Sequence, residues 1–85
     1  MSARFTVTWH PSAIDELAQI WLSAIDRNAV TNAVSAIDAI LRNEPQKKGD
    51  EFYGDRIIVA MPLAVTFAVN EADRIVQVLQ VSSPE

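Results

Sequence analysis

Hydrophobic and polar residues alternate at the start of the chain. Phe5, Val7 and Trp9 are apolar and are separated by two threonines. A repeat of two residues places one set of side chains on each face of an extended backbone. The pattern therefore predicts a half-buried strand over residues 4–9.

The apolar residues then recur at helical spacing in two successive stretches. The first stretch follows Pro11, which suits the first turn of a helix, with His10 or Ser12 as the candidate cap. The second follows Asp26, a further candidate cap, and ends before Pro45. The apolar positions are Ile14, Leu17, Ala18, Trp21 and Ile25 in the first stretch, and Val30, Ala33, Val34, Ile37, Ile40 and Leu41 in the second. We expect an antiparallel helix hairpin that leaves only a narrow face of its first helix exposed.

The second half of the chain contains three short runs rich in β-branched residues. They span residues 56–61, 63–69 and 74–81, and they follow a polar stretch over residues 44–55 that predicts a long connecting loop. The last two runs are joined by four polar residues and predict a hairpin. The final run is apolar on both faces, which favours a place inside the sheet rather than at its edge.

These elements define the expected fold. The sequence predicts one α+β domain over residues 1–85, in the order β-α-α-β-β-β, with a helix hairpin packed on a small, mainly antiparallel sheet. A chain of 85 residues with 49% hydrophobic content has room for one small core.

Composition excludes several kinds of site. The chain has no cysteine and a single histidine, so we expect no disulfide, no metal site and no cofactor. Eleven acidic and seven basic residues give a formal charge of −4, the wrong sign for holding polyanions by bulk electrostatics. No apolar stretch reaches the roughly 18 residues of a membrane helix, so a cytoplasmic location is the expectation.

The order of motifs resembles that of the RelE/ParE toxin superfamily over almost the whole chain. The resemblance rests on Trp9-His10-Pro11-Ser12-Ala13, Leu17, the helix end Leu41-Arg42-Asn43-Glu44-Pro45, Arg56-Ile57-Ile58-Val59 and the terminal hairpin. It implies the toxin half of a bacterial toxin–antitoxin pair, of the kind also called plasmid stabilisation proteins. It further implies a cognate antitoxin, which would pair with a sheet edge or fill a groove beside the helix hairpin.

Two activities follow from the resemblance. RelE-like members cut messenger RNA on the ribosome without a metal, and ParE-like members inhibit DNA gyrase. For the first activity, the resemblance points to Lys47, Lys48 and Arg56 as candidate catalytic residues. Leu63 and Ala64 replace the aromatic–arginine pair often found in the family, and residues 82–85 include no Tyr, His or Arg. The residues therefore favour a ParE-like protein that acts by binding its target.

The candidate target-binding residues are Lys47, Lys48, Tyr53 and Arg56, and each has a structural alternative. The two lysines also suit a solvated loop. Arg56 could pair with Asp55 or Glu51. Tyr53 could plug an edge of the core.

Three functions stay open at this point. The leading one is a toxin that binds a cellular target, either gyrase-like or ribosomal, and is neutralised by its antitoxin. The second is a non-toxic binding or regulatory module, for which a homodimer is an option. The third is a ribosome-dependent messenger RNA endoribonuclease.

Overall fold

The computed structural model describes residues 4–84, which form two helices and a five-stranded sheet. The elements are β1 (Thr6–Trp9), α1 (Pro11–Ser23), α2 (Arg27–Arg42), a 3-10 turn (Pro45–Lys47), β2 (Asp50–Phe52), β3 (Asp55–Ala60), β4 (Leu63–Asn70) and β5 (Ile75–Ser82). The strand order is β1-β5-β4-β3-β2. β1 is parallel to β5, and the other neighbours are antiparallel. The predicted α+β class and mainly antiparallel sheet are confirmed.

The final strand lies inside the sheet, as its two apolar faces predicted, between β1 and β4. The prediction that residues 44–55 form one long connecting loop is wrong in part. This segment contains the 3-10 turn and β2, which forms a hairpin with β3. β2 has no strand-like sequence pattern, because two of its three residues are acidic. Its extended backbone results from pairing at the sheet edge.

Both predicted helix starts are confirmed, and each uses one side chain as a cap. The imidazole of His10 accepts a hydrogen bond from the backbone N–H of Ser12 at 3.2 Å. The carboxylate of Asp26 accepts one from the N–H of Ala29 at 3.1 Å. Each bond satisfies an amide at a helix start that has no partner within its own helix. No helix among the described residues is long and apolar enough to cross a membrane.

The core lies between the helices and one face of the sheet. α2 supplies Val30, Ala33, Ile37 and Leu41, which follow the helical spacing of its predicted stripe. The sheet supplies alternate residues of its central strands. The buried apolar residues of the strands on this side are Leu63, Val65, Phe67, Val76, Val78 and Val81, with Phe5 just before β1.

The expectation that α1 exposes only a narrow face is wrong. Of its residues only Ala13 is fully buried, whereas Ile14 is 52% exposed, Trp21 41% and Leu22 60%. The helix is held beside β5, where the carboxylate of Glu16 accepts a hydrogen bond from the N–H of Val81 at 2.9 Å. With that edge fixed against the sheet, much of the apolar stripe faces away from the core.

Two isoleucine substitutions test this difference between the helices. Ile37→Ala removes a side chain that is 0% exposed, so we expect unfolding free energy to fall by about 2–5 kcal/mol. Ile14→Ala makes the same change on the exposed face of α1 and should cost less than about 1 kcal/mol. Urea denaturation measures both. Equal losses would contradict the exposed position of Ile14.

Candidate functional site

The strand register sorts the side chains of the sheet onto two faces. The inner face packs on the helices and includes Phe67, Val78 and Val81. The outer face carries the alternate residues. These are Thr6 and Thr8 of β1, Ile75, Gln77, Gln80 and Ser82 of β5, Ala64, Thr66, Ala68 and Asn70 of β4, Asp55, Ile57 and Val59 of β3, and Asp50 and Phe52 of β2. Among these described residues the outer face has two carboxylates and no Lys, Arg or His.

Arg56 lies on the inner face rather than the outer one, because it pairs with the buried Phe67. Its guanidinium donates to the backbone carbonyl of Lys48 at 2.6 Å and to that of Gly49 at 3.0 Å. The sequence suggested an ion pair of Arg56 with Asp55 or Glu51. The hydrogen bonds of its guanidinium are instead made to the backbone just before β2. Arg56 therefore fixes the segment between α2 and the sheet.

Gly49 explains why this segment lies so close to β3. Its φ is +66°, and a Cβ atom placed there would collide with the backbone carbonyl of Ile57. A side chain at this position would be strained by the backbone conformation as well as by the collision. Glycine and the Arg56 hydrogen bonds together hold residues 48–49 against the strand.

The two candidate lysines do not form a common cationic site with Arg56 through side-chain contacts. The ammonium of Lys47 lies 3.4 Å from the carboxylate of Glu44, in a pair whose side chains are 68% and 51% exposed. Lys48 is half-buried, and its backbone carbonyl accepts a hydrogen bond from Arg56. The structure thus brings Lys48 and Arg56 together by their backbone-to-side-chain bond and leaves Lys47 in an exposed ion pair.

Tyr53 stands at the tip of the β2–β3 hairpin and is 94% exposed. The expectation that it plugs a core edge is wrong. Its ring lies edge-on to that of Phe52, with centroids 4.8 Å apart. Because Tyr53 and Gly54 form a two-residue turn, the tyrosine side chain points into open solvent.

A polar pocket of about 300 Å³ adjoins this hairpin. The charged residues that line it are Glu51, Asp55, Glu71 and Arg56. Three acids against one base give the pocket a net negative charge. Phosphate groups are repelled by such a lining, and cationic side chains are attracted to it.

An apolar groove of about 490 Å³ runs between the two helices. Its apolar walls include Ile14, Leu17, Trp21, Leu22, Val30 and Val34. The lining residues of this groove could not be predicted, because helical spacing shows which residues share a stripe and not which part of the stripe the sheet covers.

Arg27 organises one end of the groove. Its guanidinium lies 4.6 Å from the centre of the Trp21 ring and donates to the carbonyl of Trp21 at 3.0 Å and of Leu22 at 3.2 Å. These bonds satisfy carbonyls at the end of α1 and fix the indole in place.

The class of protein defined so far is a small α+β domain with helices on one face of a mixed sheet. No model of a known protein family matches the chain, and no curated protein does so. Solved structures do match. The RelBE2 toxin–antitoxin complex of Mycobacterium tuberculosis gives a TM-score of 0.76 at 15% identity, covering 96% of this chain and 93% of that one.

Two further solved structures have a similar fold. The chromosomal ParDE system of Pseudomonas aeruginosa gives a TM-score of 0.68 at 19% identity, covering 99% of this chain and 100% of that one. The intact RelBE complex of Escherichia coli gives 0.65 at 12% identity, covering 95% and 98%. The chain therefore has the RelE/ParE toxin fold, as its motif order predicted.

Replacing Arg56 tests its role as a structural clamp. In Arg56→Ala the two backbone carbonyls lose a charged donor, so we expect unfolding free energy to fall by about 1–3 kcal/mol. Amide hydrogen exchange should accelerate in β2 and residues 47–49. Lys47→Ala, which breaks only an exposed pair, should change stability by less than about 0.5 kcal/mol. Unchanged exchange in β2 would refute the clamp.

Proposed function

We propose that this protein is the toxin component of a toxin–antitoxin pair and acts by binding a large cellular target. The observation that carries the proposal is the outer face of the sheet, which has no basic side chain among its described residues. Ala64, which replaces the arginine suggested by the RelE/ParE resemblance, lies on this face. Target binding requires a complementary surface and does not require a catalytic set of residues.

Cleavage of RNA fits these residues less well. A ribonuclease of this kind needs a base near the 2′-hydroxyl and cations on the phosphate. The guanidinium of Arg56 is bonded to Lys48 and Gly49, and the pocket beside it has three carboxylates. The ribonuclease alternative would have to depend on Lys47 and Lys48.

A non-toxic binding module is the second candidate function. The helix groove favours it equally, because an apolar groove can bind another helix whether or not the chain is toxic. A homodimer would be one form of such a module. Growth of cells that express the protein separates this candidate from the toxin.

The antitoxin is the partner that we propose for the toxin. The apolar groove between α1 and α2 is suited to one face of an amphipathic helix, with Trp21 and Leu22 as large exposed contacts. The complexes of similar fold from M. tuberculosis and E. coli are toxin–antitoxin assemblies. Partner binding would also shelter apolar surface that the isolated chain leaves in water.

Controlled expression in bacteria tests the proposed toxicity. We expect growth arrest with the natural chain and with the Lys47→Ala/Lys48→Ala variant, because binding does not depend on a catalytic lysine. Messenger RNA should stay intact, as followed by primer extension. DNA-damage signalling would favour gyrase as the target.

Other outcomes separate the alternatives. Arrest that disappears in the double lysine variant, together with cleaved messenger RNA in cells expressing the natural chain, would establish the ribonuclease. Normal growth with folded, abundant protein would establish the non-toxic module.

Co-expression with the product of a short reading frame that adjoins the gene, if the gene has such a neighbour, tests the antitoxin. That product should restore growth to cells expressing the natural chain, and it should fail to rescue Leu22→Asp, which puts a charge into the groove. Asn32→Asp adds the same charge at an exposed position on α2 outside the groove lining and should still be rescued. Rescue of Leu22→Asp would place the antitoxin elsewhere.

A further inference from the structure

The β2–β3 hairpin ends in a turn with an unusual residue. Phe52 and Asp55 pair on either side of Tyr53 and Gly54, whose φ angles are +50° and +86°. Positive φ at both central positions is the arrangement of a type I′ turn, which favours Asn-Gly or Gly-Gly. An aromatic residue at the first central position is strained by its own backbone conformation.

Nothing in the fold compensates for this strain at Tyr53. The side chain is 94% exposed, and its one recorded ring contact is with Phe52, which is itself 44% exposed. Two other described residues, Glu44 and Arg74, also have left-handed backbones, but their side chains are polar. Tyr53 is therefore a strained aromatic residue whose one ring contact is with another exposed ring, and strained backbones of this kind cluster at functional positions.

The charges around the tip determine what kind of partner can meet it. Asp50 and Asp55 lie on the same face of the hairpin as Phe52, Glu51 lies on the opposite face, and within residues 4–84 none of the three has an ion pair. The guanidinium of Arg56 is directed to backbone carbonyls. These three residues form an acidic border on both faces of the hairpin beside its tip, which repels nucleic acid and complements a basic protein surface.

The acidic pocket beside the tip adds to this complementarity. Glu51 and Asp55 border both features, and Glu71 contributes a third carboxylate from the turn after β4. A Lys or Arg side chain of a partner could enter this pocket while the aromatic rings occupy an apolar hollow. Tyrosine is enriched among the residues that dominate the binding energy of protein interfaces.

We propose that Phe52 and Tyr53 form the anchor by which this protein holds its cellular target, and that the target is a protein with an apolar hollow bordered by basic side chains. This inference rests on the proposed function, since it identifies the surface through which a target-binding toxin would act. It places the contact on the hairpin tip, away from the helix groove assigned to the antitoxin.

Replacing Tyr53 with asparagine separates binding from folding. Tyr53→Asn creates the preferred Asn-Gly turn, so the melting temperature should rise, by about 4 °C. The same variant loses the anchor, so the inducer needed for growth arrest should increase about tenfold or more. A purely structural residue would not produce a more stable protein that is less toxic.

Two variants serve as matched controls. Arg74→Asn relieves a left-handed residue in the other hairpin turn, where φ is +54°, and should stabilise the fold without changing toxicity. Tyr53→Phe retains the ring and should retain arrest. Full toxicity of Tyr53→Asn, or equal loss of toxicity in Arg74→Asn, would overturn the anchor.

Photo-crosslinking tests the partner without depending on toxicity. Benzoylphenylalanine at position 53, in the full chain in living cells, should form a protein adduct that disappears when Asp50→Lys and Asp55→Lys reverse the border charge. Asp15→Lys, on the exposed surface of α1, should leave the adduct unchanged. A nucleic-acid adduct, an adduct with a second copy, or none would overturn the anchor. Absence of growth arrest in the natural chain would instead overturn the proposed toxicity.

Discussion

The antiparallel pairing of β4 with β5 supports every other part of this domain. Phe67 and Val78 lie opposite each other on these strands, and both are fully buried. β1 and α1 contact β5, whereas β3 and α2 contact β4. The first strand of the chain must therefore find its partner near the end of the chain, so the core is completed by contacts between distant segments.

The same register decides the chemistry of the two faces. A strand residue and its direct partner point to the same side, so pairing with Phe67 places Arg56 on the inner face, where it bonds the backbone of residues 48–49. A shift of one residue would turn Arg56 outward and give the outer face a cation. The outer face is uncharged at its centre because the residues that alternate with the core are threonine, glutamine and alanine.

Much of the architecture was predictable, because periodicity directly reports which side chains share a face. The strand before His10, both capped helices and the interior place of β5 all follow from short patterns. β2 does not, since Asp50 and Glu51 carry no apolar alternation and their extended backbone depends on β3. The positions of Arg56 and Tyr53 also depend on register and turn geometry, which one strand's sequence does not contain. The sequence could therefore identify the candidate residues, but it could not predict the contacts that these residues make.

The two proposed binding regions have different surroundings. The helix groove has apolar walls with small polar side chains at Thr31 and Ser35, which suits a helix packing along its length. The hairpin tip instead projects two rings from an acidic border, which suits insertion into a hollow. The groove lies between α1 and α2, whereas the tip belongs to the β2 edge of the sheet, so partners at the two proposed regions would contact different elements. If the groove binds the antitoxin and the tip binds the target, as proposed, neutralisation requires either that the antitoxin also covers the tip or that its binding is coupled to the tip.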